Sequence, residues 1–273
     1  RFMKKEQYQV EQKFYDSWTH KFLHDFLFAN KRQEAAVEYV LSVLLNYPES
    51  KEILDFGCGL GSNSFLLSQG MACKVTALDL SEDLVSLGKS LFEKRGVCEF
   101  FNGSIESLID IEENEDRFDS IVLLDVIEHI RWDDWPSLFS QLNTLLKPTG
   151  CIVITTPTSE HQKWLTDYKP SGLQPVDLFI EKEDIEKHAE TIGFSVLDYR
   201  RTSPFGASSH GDNYQYFVIS KDSKELVVDN ETVGVLTPTW KRHWIVMRKN
   251  PNYYFRNIGI RSFFSQIKQG FLK

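Results

Sequence analysis

The sequence predicts a doubly wound α/β fold, in which helices cover both faces of a mostly parallel sheet. A buried strand at 51–56 runs into the glycine-rich turn Gly57–Gly61, and a helix follows. A second strand at 74–80 ends in the acid Asp79. Apolar strands and helices then alternate as far as residue 156, which is typical of sheets built from βαβ units.

The elements are predicted in order along the chain. Residues 6–46 are predicted to be helical, because Phe14, Trp18, Phe22 and Phe26 recur at helical spacing. Of these, we expect Phe22 and Phe26 to pack across the sheet, and Trp18, with Tyr15, to cover the ligand site. The remaining predicted strands are 98–102, 118–124, 151–156, 194–201 and 213–220. The remaining predicted helices are 60–69, 81–95, 134–147 and 181–192. We interpret 104–117, 147–150, 158–177 and 202–212 as connecting segments without regular structure.

The composition indicates a globular intracellular protein. Hydrophobic residues make up 41% of the 273 residues and charged residues 26%. No apolar run approaches the ~20 residues of a membrane-spanning helix, and the first residues do not resemble a signal peptide. The chain has four cysteines, Cys58, Cys73, Cys98 and Cys151, and no two of them form a C-x-x-C pair. We expect them to be reduced thiols of a cytoplasmic protein.

Charge is distributed unevenly along the chain. The net charge is −8, yet residues 240–273 contain eight Lys or Arg and no acid. From Ile260 onward, apolar residues fall on one helical face beside these basic side chains. Two interpretations stay open: this segment packs against the domain or a second subunit, or it contacts an anionic membrane surface. A nucleic-acid partner is not expected of a chain whose body is acidic.

Several segments together resemble the class I S-adenosylmethionine-dependent methyltransferases over about 52–220. They are Asp55–Gly61, the acid Asp79, and the segments 118–130 and 146–151. The stretch 124–130 is similar to the subgroup that includes ubiquinone-biosynthesis O-methyltransferases and many natural-product and glycan methyltransferases. The resemblance implies a Rossmann-like, seven-stranded sheet with an antiparallel last strand. We accordingly divide the chain into a helical cap (1–48), a cofactor-binding domain (49–222) and a C-terminal appendage (223–273).

S-adenosylmethionine is the cofactor that the resemblance implies. Gly57 and Gly59 allow close approach of the backbone to its methionine part, and Asp79 can accept hydrogen bonds from both ribose hydroxyls. The residues expected at the cofactor are Asp55, Phe56, Gly57, Cys58, Gly59, Asn63, Asp79, Leu80, Gly103, Ser104, Ile105, Asp125 and Val126. A nicotinamide enzyme is disfavoured, because the third glycine stands at the fifth position of the turn rather than the sixth.

Four side chains are candidates for the chemistry. Methyl transfer to a hydroxyl needs a base within hydrogen-bond reach. Glu128 and His129 follow the fourth strand, while His161 and His210 lie in segments expected at the carboxyl edge of the sheet, where ligands bind in such folds. A divalent metal held by this Glu–His pair together with a neighbouring acid is a weaker alternative, so the presence of a metal is left unassigned.

We therefore expect methyl transfer from S-adenosylmethionine to an oxygen of a small molecule, such as a phenol, a sugar or a lipid-linked intermediate. An N-methyltransferase acting on an amine is one alternative. A regulatory protein that binds the cofactor without turnover is the other.

Overall fold

The structure is a computed structural model. It describes residues 18–47, 52–94, 96–111, 114–170, 173–206, 208–209, 211–222, 225–228, 236–259 and 265.

The described residues form one seven-stranded sheet. Its strands are β1 (Glu52–Phe56), β2 (Lys74–Asp79), β3 (Cys98–Asn102), β4 (Phe118–Leu124), β5 (Leu146–Pro157), β6 (Ser195–Thr202) and β7 (Tyr214–Ser220). The strand order is β3-β2-β1-β4-β5-β7-β6. Strands β1 to β5 pair in parallel, and β7 is antiparallel to both of its neighbours. The predicted doubly wound sheet with an antiparallel last strand is confirmed.

Helices cover both faces of the sheet. They are α1 (Thr19–Leu27), α2 (Lys31–Leu44), α3 (Ser62–Gly70), α4 (Glu82–Phe92), α5 (Ile105–Ile109), α6 (Trp135–Leu145), α7 (Ser159–Tyr168), α8 (Lys182–Thr191), α9 (Thr239–Lys249) and α10 (Pro251–Asn257). Short 3₁₀ turns span Ile127–His129 and Trp132–Asp134. Side-chain caps mark the starts of α2 and α4, where Asn30 accepts from the Arg32 amide and Ser81 from the Leu84 amide.

The sheet separates two apolar cores. Alternate residues of β4 point to opposite faces, so Val122 joins one core while Ile121 and Leu123 join the other. The first core lies under α1 to α4, α9 and α10, and the second under α5, α6 and α8. Burial on both faces explains why the central strands are continuous apolar runs.

Three connecting segments differ from their prediction, and the first of them, 104–117, contains the short helix α5. Part of 158–177 forms the helix α7, which begins where the Thr158 hydroxyl accepts a hydrogen bond from the His161 amide. Strand β5 begins at Leu146 rather than at 151, because Leu146 pairs with Phe118 before a register shift restores regular pairing. The predicted turn at 147–150 therefore lies within a strand.

The C-terminal helices pack against the N-terminal ones. Helix α9 contacts α1 and α4, and its buried Arg242 donates to the Phe26 carbonyl at the end of α1 and to Glu34 of α2. The division at residues 48 and 222 stays a prediction, and the apolar face predicted from Ile260 lies outside the described residues. None of the described helices combines the length and the apolar character that crossing a membrane requires.

Candidate active site

A cavity of about 660 Å³ opens at the carboxyl ends of β1, β2 and β4. The predicted cofactor and catalytic residues on its wall are Phe56, Gly57, Cys58, Gly59, Asn63, Asp79, Leu80, Gly103, Ser104, Ile105, Asp125, Val126 and His129. Three candidates, Asp55, Glu128 and His161, are buried behind the wall. His210 lies outside the described residues. Segments far apart in the sequence thus meet around one space, as expected where the strand order reverses beside β1.

The glycine turn brings backbone to the cavity wall. Gly57 has φ +74°, a left-handed conformation, and a Cβ there would lie 2.6 Å from Cγ2 of Val126. The Gly57 and Cys58 amides donate to the Leu78 carbonyl at 2.8 and 3.0 Å, which joins the turn to the end of β2. Only glycine fits position 57 without displacing its neighbour.

Asp79 is the last residue of β2, and its side chain is hydrogen-bonded to the glycine turn. One carboxylate oxygen accepts from the Gly59 amide at 2.7 Å, and the other accepts from the Ser81 amide at 2.8 Å. A carboxylate oxygen has room for a second donor, so both oxygens of Asp79 can also accept from a pair of hydroxyls in the cavity.

The side chain of Asp55 contacts another element of the fold and does not line the cavity. Its side chain is buried and accepts a hydrogen bond from the Ser64 hydroxyl, which ties β1 to α3. Burial, the largest influence, raises the pKa of Asp55 to about 7, and the Ser64 hydrogen bond acts in the opposite direction. The carboxyl is turned away from the cavity although the residue belongs to the glycine motif.

Two polar atoms beside the turn find no hydrogen-bond partner among the residues that the structure describes. The Ser62 hydroxyl and the Asn63 side-chain oxygen are buried, and neither makes a hydrogen bond within the described part of the chain. Both residues line the cavity. Buried polar groups are normally paired, so these atoms indicate that a polar ligand belongs against this wall.

An ion pair that the sequence did not indicate lines the same cavity. Arg32 of α2 places Nε 3.0 Å from Oδ2 of Asp125, and its Nη1 donates to the Tyr214 hydroxyl at 3.0 Å. Asp125 itself has φ +59°, a left-handed conformation that is uncommon outside glycine. Burial lowers the pKa of Arg32, but the charge of Asp125 and the bond to Tyr214 outweigh it and raise the pKa overall.

Helix α1 and the residue before it supply part of the wall through Trp18, Lys21 and Phe22. The Lys21 ammonium lies 4.1 Å from the centre of the Trp18 ring. Burial first, and the charge of Arg32 second, lower the pKa of Lys21. Phe26 is buried in the core as the sequence predicts, whereas Phe22 lines the cavity as well as packing on the core.

His129 is held on both ring nitrogens. Nδ1 lies 2.9 Å from the Val176 carbonyl and 3.2 Å from Oδ1 of Asp177, and Nε2 lies 2.7 Å from Nε2 of Gln174. Burial lowers the pKa of His129, but the charge of Glu128 and the hydrogen bond to Asp177 outweigh it and raise the pKa overall. The segment that carries Gln174 and Asp177 lies nearly fifty residues after His129 in the sequence. Sequence spacing therefore did not predict that these side chains contact His129.

Glu128 lies behind His129. Its Oε1 is 3.8 Å from Nε2 of the imidazole, and its Oε2 is buried without a hydrogen-bond partner in the part of the chain described. Burial, with a smaller contribution from the charge of Asp125, raises the pKa of Glu128 to about 7. The charge of His129 acts in the opposite direction and lowers the pKa of Glu128.

His161 belongs to an aromatic cluster beside the cavity. Its ring stacks on Trp164 with centroids 5.8 Å apart, and it lies 6.1 Å from the Tyr214 ring. No group of three or more His, Cys, Asp or Glu side chains suited to a metal ion is found within the described ranges. Asp125, Glu128 and His129, the residues considered for a metal, are thus not assembled into such a group.

Comparison with known proteins identifies the family. The sequence matches the family described as "Methyltransferase domain" over residues 28–199. The chain belongs to this methyltransferase family. The resemblance to class I S-adenosylmethionine-dependent methyltransferases is thereby confirmed, and the matched range includes the glycine turn, Asp79, Asp125 and His129.

The curated relatives of this chain include proteins named as O-methyltransferases and as N-methyltransferases. The chain is 26% identical to the mitochondrial ubiquinone biosynthesis O-methyltransferase of Dictyostelium discoideum, over 56% of this chain and 52% of the relative. It is 30% identical to phosphoethanolamine N-methyltransferase 3 of Arabidopsis thaliana, over 41% of this chain and 22% of that protein. The chain thus spans about half of the first relative and less than a quarter of the second.

Solved methyltransferase structures have the same fold. The magnesium protoporphyrin IX methyltransferase of Synechocystis PCC 6803, with bound SAH, is 20% identical with a TM-score of 0.53, covering 70% of this chain and 84% of its own. The 1,6-didemethyltoxoflavin-N1-methyltransferase of Burkholderia thailandensis is 16% identical with a TM-score of 0.53, covering 78% and 91%.

Proposed function

We propose that this methyltransferase moves a methyl group from S-adenosylmethionine to an oxygen atom of a small molecule, with His129 as the general base. The observation that carries the proposal is the position of the imidazole. It lines the same cavity as the glycine turn and Asp79, and hydrogen bonds hold both of its nitrogens.

The residues of the cavity suit the two ends of the cofactor. Asp79 can accept from the ribose hydroxyls, and the apolar side chains Leu80, Ile105 and Leu138 can cover the adenine. At the other end, Arg32 and Lys21 offer positive charge to the methionine carboxylate, and Asp125 offers negative charge to its ammonium group. The unpartnered Ser62 and Asn63 oxygens can accept further hydrogen bonds there.

The chain itself has little covalent chemistry to perform. S-adenosylmethionine supplies an activated methyl group on a sulfonium and leaves as a neutral thioether. The protein holds the acceptor oxygen in line with that methyl group, which accounts for much of the rate in such displacements. His129 accepts the proton that the acceptor hydroxyl gives up as its oxygen forms the new bond, and the nearby carboxylates of Asp177 and Glu128 stabilise the imidazolium.

N-methyl transfer is the second candidate, favoured by the 30% identity to a phosphoethanolamine N-methyltransferase. An ammonium acceptor must also lose a proton before it can attack, and the same imidazole can take it. The acidic groups around His129 would suit a cationic acceptor, so the choice between oxygen and nitrogen rests on assay.

Two measurements test the proposal in sequence. Calorimetric titration with S-adenosylhomocysteine should show binding to the parent protein, and an absence of binding at millimolar concentration would exclude both an enzyme and a regulatory binder. Incubation with methyl-labelled cofactor and separate panels of phenols, sugars and amines then identifies the acceptor atom. Binding without transfer to any class would favour the regulatory alternative.

We further propose that α9 contacts an anionic membrane surface. Its outward side exposes Trp240 and Trp244 beside the basic Lys241, Arg248 and Lys249, and residues 236–259 contain no acid. Tryptophan and basic side chains together suit the interface of an anionic bilayer. Flotation with phosphatidylglycerol vesicles should be lost in K241E/R248E and kept in K187E, on the distant helix α8. Self-association that the same double substitution abolishes would instead assign this face to a dimer.

A further inference from the structure

Segment 174–178 covers the imidazole on which the proposed reaction depends. It follows α7, and it is joined to the 3₁₀ turn of His129 by a hydrogen bond from the Leu178 amide to the Glu128 carbonyl at 2.8 Å. Within the segment, the backbone N–H of Gln174 donates to Oδ2 of Asp177 at 2.6 Å. One short piece of chain therefore presents three groups to His129: a side-chain amide, a carbonyl and a carboxylate.

The contacts at Nδ1 determine the tautomer of His129. Both of its neighbours, the Val176 carbonyl and the Asp177 carboxylate, can only accept. The proton of the neutral imidazole must therefore be on Nδ1, which leaves the lone pair on Nε2. The Nε2 position is the one that faces Gln174 at the cavity wall.

The contact at Nε2 follows from this tautomer. A bare Nε2 needs a donor, so Gln174 presents its amide NH₂ at 2.7 Å. This orientation turns the amide oxygen of Gln174 into buried surroundings, where it finds no partner in the described ranges. The side-chain NH₂ of Gln174 thus pairs with Nε2 of His129, while the oxygen of the same amide stays without a hydrogen bond in the described ranges. An unpaired buried oxygen costs free energy, so the Gln174 side chain is held only weakly in this position.

We infer that Gln174 occupies the position of the acceptor's hydroxyl and that Asp177 is the positioning residue of His129. This inference rests on the proposed methyl transfer. The acceptor displaces the Gln174 amide and donates its own O–H to Nε2. As the acceptor oxygen bonds to the methyl carbon, the carbon–sulfur bond breaks toward sulfur and the acceptor proton moves to Nε2.

The geometry also limits the acceptor class. The group at Nε2 must be a hydrogen-bond donor, as the side-chain amide of Gln174 is, so the acceptor carries a proton on its reacting atom, as a phenol, an enol or a sugar alcohol does and as an ammonium also would. A tertiary amine or a thioether has no proton to offer in this position. The carboxylates facing the imidazole are Asp177, Glu128 and, farther along the wall, Asp125, and they favour the imidazolium that the transfer produces.

The tautomer is tested first, on the parent protein saturated with S-adenosylhomocysteine. Nitrogen-15 spectra of the histidine side chains, with His129 assigned through H129Q, should show the proton of the neutral ring on Nδ1. A neutral ring that carries its proton on Nε2 would overturn the inference without any known acceptor.

Two substitutions then separate the roles. D177N should lower kcat between about 10-fold and 10⁴-fold, the range for losing a carboxylate that orients an imidazole, with S-adenosylhomocysteine affinity unchanged. D177E, which keeps the charge, should recover part of that loss. Q174A should lower the KM of the acceptor several-fold with kcat nearly unchanged, and D167N on α7 is the matched control for the loss of one carboxylate.

The outcomes are distinguishable from failure of the proposed function. A parent that transfers no label to any acceptor contradicts the methyl transfer itself, whatever the spectra show. An active parent whose D177N variant keeps its kcat and the same His129 spectrum overturns the role of Asp177. An acceptor KM that rises in Q174A would show that Gln174 binds the acceptor rather than holding its place.

Discussion

Arg32 and Asp125 form an ion pair, with 3.0 Å between Nε and Oδ2, that connects α2 to the residue following β4. Each partner comes from a different part of the chain, and both line the cavity. The pair is fixed from both sides, since Arg32 also donates to Tyr214 and the Asp125 amide donates to the Thr155 carbonyl at 3.0 Å. The N-terminal helices are thereby held against the end of the sheet at the proposed methionine end of the site.

Removing the charge of Arg32 should weaken cofactor binding. In R32Q, the cavity loses the cation proposed for the methionine carboxylate, and a charge-assisted contact of about 1.5–3 kcal/mol corresponds to roughly 10- to 100-fold in affinity. Calorimetry with S-adenosylhomocysteine measures the change. R201Q is the control, because Arg201 pairs with Glu160 at 2.9 Å on the surface. Equal affinity in R32Q and the parent would remove Arg32 from the site.

The glycine turn offers a matched pair of substitutions. Gly57 and Gly193 have nearly the same left-handed φ, +74° and +76°, but only at Gly57 would a Cβ meet another side chain. Both G57A and G193A should lose about 1 kcal/mol of unfolding free energy from backbone strain. Only G57A should also lose affinity for S-adenosylhomocysteine, because its methyl group displaces Val126 on the cavity wall. Binding that is unimpaired in G57A would contradict the placement of the cofactor.

Much of the fold was readable from the sequence, because strands buried on both faces carry an unbroken apolar signal. Strands β3 and β4 begin and end at their predicted residues, 98–102 and 118–124. Helix α7 was missed because its sequence is polar and aromatic without a clear apolar stripe. Its only local signal was Thr158, a capping residue directly after Pro157.

The site was predictable only where its residues belong to local motifs. The glycine turn and Asp79 are separated by one βαβ unit, whose geometry is fixed, so their meeting follows from the sequence pattern. Arg32, Lys21 and Gln174 reach the cavity through tertiary packing of α1, α2 and the segment after α7. No spacing rule encodes that packing, so these three residues were found only in the structure.

Stability should depend on pH through Glu128. Burial raises the pKa of this carboxyl to about 7 in the folded protein, from an ordinary value near 4.5. The folded state therefore binds more protons than the unfolded state between these pH values, and unfolding free energy should fall as pH rises from about 4.5 to 7. In E128Q this part of the decline should disappear.

Denaturant unfolding at several pH values between 4 and 8 measures the effect. E190Q, a substitution of an exposed carboxyl on α8, serves as the control and should follow the parent curve. Parallel curves for the parent and E128Q would mean that Glu128 titrates in the folded protein as it does in the unfolded chain.

The buried Arg242 should connect the C-terminal helices to cofactor binding. Its guanidinium donates to the Thr237 carbonyl at 2.6 Å, to the Phe26 carbonyl at 3.1 Å and to Glu34 at 2.7 Å. R242M keeps the apolar stem but leaves those acceptors unpaired, which should cost about 2–4 kcal/mol of unfolding free energy. Because α1 carries Trp18, Lys21 and Phe22 on the cavity wall, loosening its end should also weaken S-adenosylhomocysteine binding.

Two further variants separate this effect from a general loss of helix α9. R248M removes an exposed arginine from the same helix and should leave both stability and affinity close to the parent values. R242K retains one charged donor and should fall between the parent and R242M. R242M could instead be destabilised and still bind S-adenosylhomocysteine as tightly as the parent. The position of α1 over the cavity would then not depend on α9. The contacts of α1 with the sheet would suffice to hold Trp18 and Lys21 in place.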